Sequence, residues 1–133
     1  MKKDKLRAII LTDNNQAVYL SYSIKKIRTK NIYYYEIPSI VIKDNLSLEE
    51  NLRNFLNDKL NLDIKVVGYL GQKKTLQGID YYFHCEVKLN SLNLEDFKTK
   101  PIFLKDLTKE DINILPVYLS YIEKALKKDY KTI

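Results

Sequence analysis

The stretch YEIPSIVIKDNLSLEENLRNFLNDKLNLD, Tyr35 to Asp63, decides the fold. A strand-like run ends at Pro38, and a polar loop follows. Ser47 is a good helix N-cap, and Glu50 three residues on completes a capping box. Leu48, Leu52, Phe55, Leu56 and Leu60 then form one helical stripe, which predicts a helix over Leu48 to Leu60. Asn61 is a plausible stop, and Ile64 to Leu70 reads as the next strand.

Working outward, Leu6 to Thr12 and Ala17 to Ser23 read as a hairpin. The turn chemistry of DNNQ at Asp13 to Gln16 joins them. A basic segment, Lys25 to Lys30, leads into the tyrosine-rich strand. Gly71 to Gly78 reads as a loop. From Ile79 the residues alternate: Ile79, Tyr81, Phe83, Cys85 and Val87 on one face, and Asp80, Tyr82, His84 and Glu86 on the other. That period of two predicts a half-buried strand. A short strand follows around Ile102 to Leu104, then a helical turn capped by Thr108 and running to Asp111. Pro116 opens a final helix with Val117, Tyr121 and Ala125 on its inner side. The predicted order is β-β-β-α-β-β-β-α, a mixed sheet flanked by helices.

The chain has 133 residues, 45% of them hydrophobic, with no internal repeat or Pro/Gly/Ser linker; this suits a single domain over 1–133 with a real core. No apolar run is long enough to cross a bilayer, so no membrane partner is expected. No signal peptide is legible. The one cysteine, Cys85, sits in an apolar strand pattern, and a reduced, cytoplasmic setting is the default. The net charge is +6, from 23 Lys plus Arg against 17 Asp plus Glu. Much of the excess lies in scattered and terminal lysines, where it favours solubility.

The stretch around Pro38 resembles a Nudix box with its functional letters replaced. The family's pattern runs from a proline and paired glycines to a Glu, then Arg-Glu, an aliphatic, paired Glu, a Gly and a last aliphatic. In gapless register Pro38 falls on the proline, and Ser39 and Ile40 stand for the glycines. Leu46 stands for the first Glu. Asn54 and Phe55 replace Arg-Glu, and Leu56 keeps the aliphatic. Asp58 and Lys59 replace the paired Glu, Asn61 replaces Gly, and Leu62 keeps the last aliphatic. The opening hairpin, the strand IDYYFHCEVKLNS and the closing FLKDLTKEDINILPVYLSYIEKAL are also similar to the family, so the resemblance spans about residues 5 to 127. It implies an α+β fold, a Nudix-like α/β/α sandwich with a mixed, mostly antiparallel sheet. It also implies hydrolysis of a diphosphate linkage in a nucleoside diphosphate derivative, with Mg²⁺ or Mn²⁺ polarising the phosphates.

The residues present fit that chemistry poorly. A hard divalent cation wants oxygen ligands, and carboxylates at 55, 58 and 59 would share one helical face. Phe55 offers none. An ammonium at Lys59, about 4 Å from such an ion, would be repelled by roughly 8 kcal/mol at an effective dielectric of about 20, before solvent reduces it. Asp58 alone is kept. Asp58 and Glu50 are the catalytic candidates, and Asp58, Glu95 and Asp96 the metal candidates. Capping explains Glu50 equally, and a solvated loop explains Glu95 and Asp96.

Tyr35 and Tyr82 could stack a nucleobase or fill a core, and Arg28 in KKIRTK could meet phosphate or simply be solvated. His84 could be a base, but no partner can be named for it. The leading expectation is a Nudix-fold chain with little or no catalysis that binds a nucleotide-like small molecule or a protein partner. One alternative is an active hydrolase with displaced metal ligands. Another is a basic module that engages nucleic acid. A homodimer is left open by the resemblance.

Overall fold

The computed structural model describes residues 3–12, 14–43, 45–55, 64–87, 99–109 and 112–132. In chain order they form β1 (Lys5–Thr12), β2 (Ala17–Ile27), β3 (Lys30–Glu36), β4 (Ser39–Val41), α1 (Leu48–Asn54), β5 (Ile64–Lys74), β6 (Ile79–Val87), β7 (Thr99–Phe103), a 3₁₀ turn (Leu104–Asp106), β8 (Asn113–Ile114) and α2 (Pro116–Leu126). One eight-stranded sheet contains every described strand, in the order β5-β6-β1-β2-β3-β8, with β4 on β1 and β7 on β2. The pairs are antiparallel except β1 with β6 and β3 with β8, which makes the sheet mixed and mostly antiparallel.

The hairpin of β1 and β2 is splayed. The two strands pair only beside their turn, at Leu11 with Val18 and Thr12 with Ala17. Asn14 and Asn15 make that turn with φ of 55° and 65°, a left-handed geometry that asparagine tolerates better than most residues. Beyond it, β2 takes β3 from Ser21 to Ile27, and β1 takes β4 from Lys5 to Arg7. The segment from β3 through Pro38 to β4 therefore fills the wedge. The Ala8 amide donates to the Pro38 carbonyl at 3.0 Å, which ties the bend to β1.

Helices cover both faces. Leu6, Ala8 and Ile10 of β1 form a cluster with Leu52 and Phe55 at α1 and with Phe83 and Cys85 of β6. Ile9 and Leu11 face the other way, with Tyr82, Tyr35 and the α2 residues Tyr118, Tyr121, Ile122 and Ala125. These four stand at i, i+3, i+4 and i+7 of a helix begun by Pro116. The inner stripe is thus one residue further round than Val117 suggested. α2 ends in a Schellman motif. Lys128 turns left-handed at φ 56°, its amide meets the Ala125 carbonyl at 3.1 Å, and that of Asp129 meets Lys124 at 2.9 Å.

Two sequence expectations need correction. β6 is buried on both faces, because it lies between β1 and β5 with a helix layer over each side. β5 runs through Gly71 to Lys74, so the expected loop shrinks to a turn in which Thr75 and Gly78 bond each other. Register shifts between Val66 and Gly68 and between Tyr69 and Gly71 absorb the glycines, and Gly71 takes φ 123°. A 3₁₀ turn stands at Leu104–Asp106, and the turn expected from Thr108 to Asp111 lies partly outside the described residues. No helix among the described residues is long and apolar enough to cross a membrane, which says nothing of β-barrels.

Candidate functional site

The loop and helix after Pro38 carry the candidate site. Ser47 caps α1 by accepting the Glu50 amide at 3.1 Å. Glu49 and Glu50 are both exposed in the first turn, where negative charge suits the helix dipole. Glu49 is also held by Arg53 at 2.9 Å across the helix surface.

The loop is clamped by Asn51, a residue whose role sequence reasoning missed. Its side chain is buried at 4% exposure and makes four hydrogen bonds. Oδ1 accepts the Lys43 amide at 2.8 Å. Nδ2 donates to the carbonyls of Lys43, Leu46 and Ser47 at 3.1, 3.2 and 2.8 Å. One amide thus fixes both ends of the Lys43–Ser47 loop. A signal existed: Asn51 lies four residues before Phe55, on the inward stripe, and a polar residue there implies a partner.

At position 55 the structure places a phenyl ring, 2% exposed, in the apolar cluster with Leu52, Leu6, Ala8, Ile10 and Phe83. Leu46 is half-buried and Asn54 exposed. A hard divalent cation needs several oxygen ligands converging on it. Among the described residues no group of three or more His, Cys, Asp or Glu converges. The described part of the box therefore does not fit Mg²⁺ or Mn²⁺. Asp58, Glu95 and Asp96, the metal candidates, lie outside the described residues, as does Lys59.

The remaining candidates stand elsewhere. α1, with Glu50, covers one face of the sheet, whereas Tyr35 and Tyr82 belong to the cluster on the other. Tyr82, for which both nucleobase stacking and core filling were open, is a core residue, 1% exposed. The Tyr121 ring is stacked on it at 3.8 Å and within 1° of parallel. Burial pushes its hydroxyl well above the ordinary phenol range. Tyr35 is 8% exposed and helps line a groove of about 480 Å³ between β3 and the segment before α2, with Glu36, Asn113, Ile114 and Tyr118. Arg28 sits at the exposed tip of the β2–β3 hairpin with φ 59°.

Beneath that groove the sequence hid an ion pair. Arg7 Nε donates to Asp80 Oδ2 at 2.7 Å, and Nη1 to the Ile37 carbonyl at 2.7 Å; the guanidinium lies 4.9 Å from the Tyr118 ring centroid. Burial works against the Arg7 charge, but the Asp80 hydrogen bond and neighbouring charges outweigh it and hold the guanidinium above its usual range. Cys85 is buried, and desolvation pushes its thiol up to about 12, which makes it an inert core residue.

With this geometry the chain resembles solved structures over nearly its whole length. A Nudix-family hydrolase from Clostridium perfringens superposes with a TM-score of 0.73 at 12% identity, covering 96% of this chain and 98% of that one. The fold is that of the Nudix hydrolases. A Nudix hydrolase from Nitrosomonas europaea gives a TM-score of 0.65 at 12% identity, over 100% of this chain and 94% of that one. The DNA mismatch repair protein MutT from methicillin-resistant Staphylococcus aureus 252 gives 0.62 at 16%, over 96% and 99%. No family model and no curated protein matches the sequence. Where the sequence resemblance sets its box, the described residues are Ile40, Leu46, Asn54 and Phe55.

Proposed function

We propose that this Nudix-fold chain binds a nucleotide-like ligand and has little or no diphosphate hydrolase activity. The observation that supports this best is the ring of Phe55, closed into the apolar layer where the resemblance calls for a metal-binding carboxylate. Moving that ring aside for an ion would open the core under α1. A thermal-shift screen of ADP-ribose, ADP, ATP and dinucleoside polyphosphates, with and without Mg²⁺ or Mn²⁺, tests the reading. The expected result is a melting temperature raised by a nucleotide without metal, and no phosphate release. Mn²⁺-dependent turnover that disappears in Asp58→Asn would replace this reading with that of a hydrolase using displaced ligands.

A further inference from the structure

We propose that Lys100 and the tyrosines Tyr22, Tyr33 and Tyr35 form a subsite for a nucleobase with its attached phosphate, on the β2–β3–β7 side of the sheet. The cluster is built by register. Tyr22 lies opposite Tyr35 across β2 and β3, and Lys100 pairs with Leu20 across β2 and β7. Residues two apart share a strand face, so Tyr22 and Tyr33 join Tyr35 and Lys100 on one side. The Lys100 ammonium lies 5.1, 5.4 and 5.6 Å from the ring centroids of Tyr22, Tyr33 and Tyr35. Rings hold a cation at that range through their electron-rich faces. Tyr33 and Tyr35 stack at 6.4 Å and 20°.

Two observations set the ligand's chemistry. Tyr33 is 37% exposed, so its ring offers surface to a planar partner. The surrounding sequence is basic: from Ala17 to Tyr35 the chain carries Lys25, Lys26, Arg28 and Lys30 and no carboxylate, and Lys26 falls on the Tyr22 face by strand alternation. Among the described residues no acid forms an ion pair with Lys100. A stacking surface beside an oriented ammonium suits a base carrying phosphate, either free or in a single strand. A caged cation that no described acid pairs with is poorly suited to a cationic ligand.

This rests on the nucleotide-binding reading above, and the test separates the two. Titration calorimetry without metal would compare ADP, adenosine and pyrophosphate on the wild-type chain. ADP is expected to bind most tightly. Lys100→Gln should weaken ADP about tenfold and leave adenosine unchanged, with Lys100→Arg restoring most of the loss. Tyr33→Ala should weaken both ADP and adenosine about tenfold. Tyr33 is exposed, so an unchanged melting temperature would certify its fold. ADP bound equally by all variants would overturn the subsite while sparing the nucleotide-binding reading. No nucleotide bound by any form would sink both. Tetramethylammonium bound in competition with ADP would overturn the subsite in favour of a cation cage. Oligothymidylate binding tighter than thymidine monophosphate, with steep salt dependence, would place the ligand in a strand; equal affinities would place it among free nucleotides. Both results support the subsite.

Discussion

At position 55 a carboxylate would face an aliphatic and aromatic layer with no donor to meet it. Phe55→Glu is therefore expected to destabilise rather than activate. Truncating a buried phenylalanine already costs about 3–5 kcal/mol, and a buried acid adds its own desolvation. Urea unfolding should show Phe55→Ala losing that amount and Phe55→Glu at least as much. A stable Phe55→Glu protein that gains Mn²⁺-dependent turnover would refute the account of the helix. The Arg7–Asp80 pair obeys the same arithmetic with the sign of the partner changed. Arg7→Leu leaves Asp80 buried without its counter-charge and should cost about 3–5 kcal/mol. Arg7→Leu combined with Asp80→Leu should recover much of it. A double variant no better than the single one would mean that the Ile37 carbonyl, not Asp80, is the partner that matters.

Elements here are held by single residues at their ends. Asn51 joins α1 to the loop before it with four bonds, so Asn51→Ala leaves the Lys43 amide and three carbonyls without that amide. A loss of about 2–3 kcal/mol is expected in urea unfolding, with faster amide exchange confined to the loop and first turn. Exchange unchanged at Lys43 would show that the clamp is not what orders the loop. The tail after α2 is held similarly. The Lys131 amide donates to the Tyr69 carbonyl at 2.7 Å, and the Tyr130 ring lies against Gly68, where a Cβ would come within 2.6 Å of it. Gly68→Ala should therefore push Tyr130 off β5 and cost about 1–3 kcal/mol by overpacking. Limited proteolysis after Lys128 would report the released tail, and an unchanged digestion pattern would count against this contact.

Across the whole molecule, what could be read from the sequence was what is encoded locally. The Ser47 cap, the Asn14–Asn15 turn and Pro116 at the start of α2 each depend on a few adjacent residues. The sequence could not show that β6 is covered on both sides, because the covering elements lie far along the chain. The same holds for Lys100, whose partners sit on two other strands. Of the candidate site, the capped start of α1 was legible, but the choice between a ligand face and a core for Tyr82 was not, since alternation marks a face without saying what lies over it. His84 shows the same limit and sets an acid response for the fold. It is 1% exposed, its Nδ1 lies 2.9 Å from the Tyr130 hydroxyl, and its Nε2 has no protein partner among the described residues. Burial, joined by Lys128 and opposed by Glu86, holds its pKa below the ordinary 6.5. The folded state thus keeps the ring neutral while the unfolded chain takes up a proton. The His84 contribution to stability is full above pH 6.5. As pH falls below that value it declines by up to about 1.4 kcal/mol per pH unit, levelling off below the folded-state pKa. Urea midpoints between pH 7.5 and 4.5 should show this slope in the wild type and lose it in His84→Gln. An equal slope in both proteins would assign the acid response to the carboxylates instead.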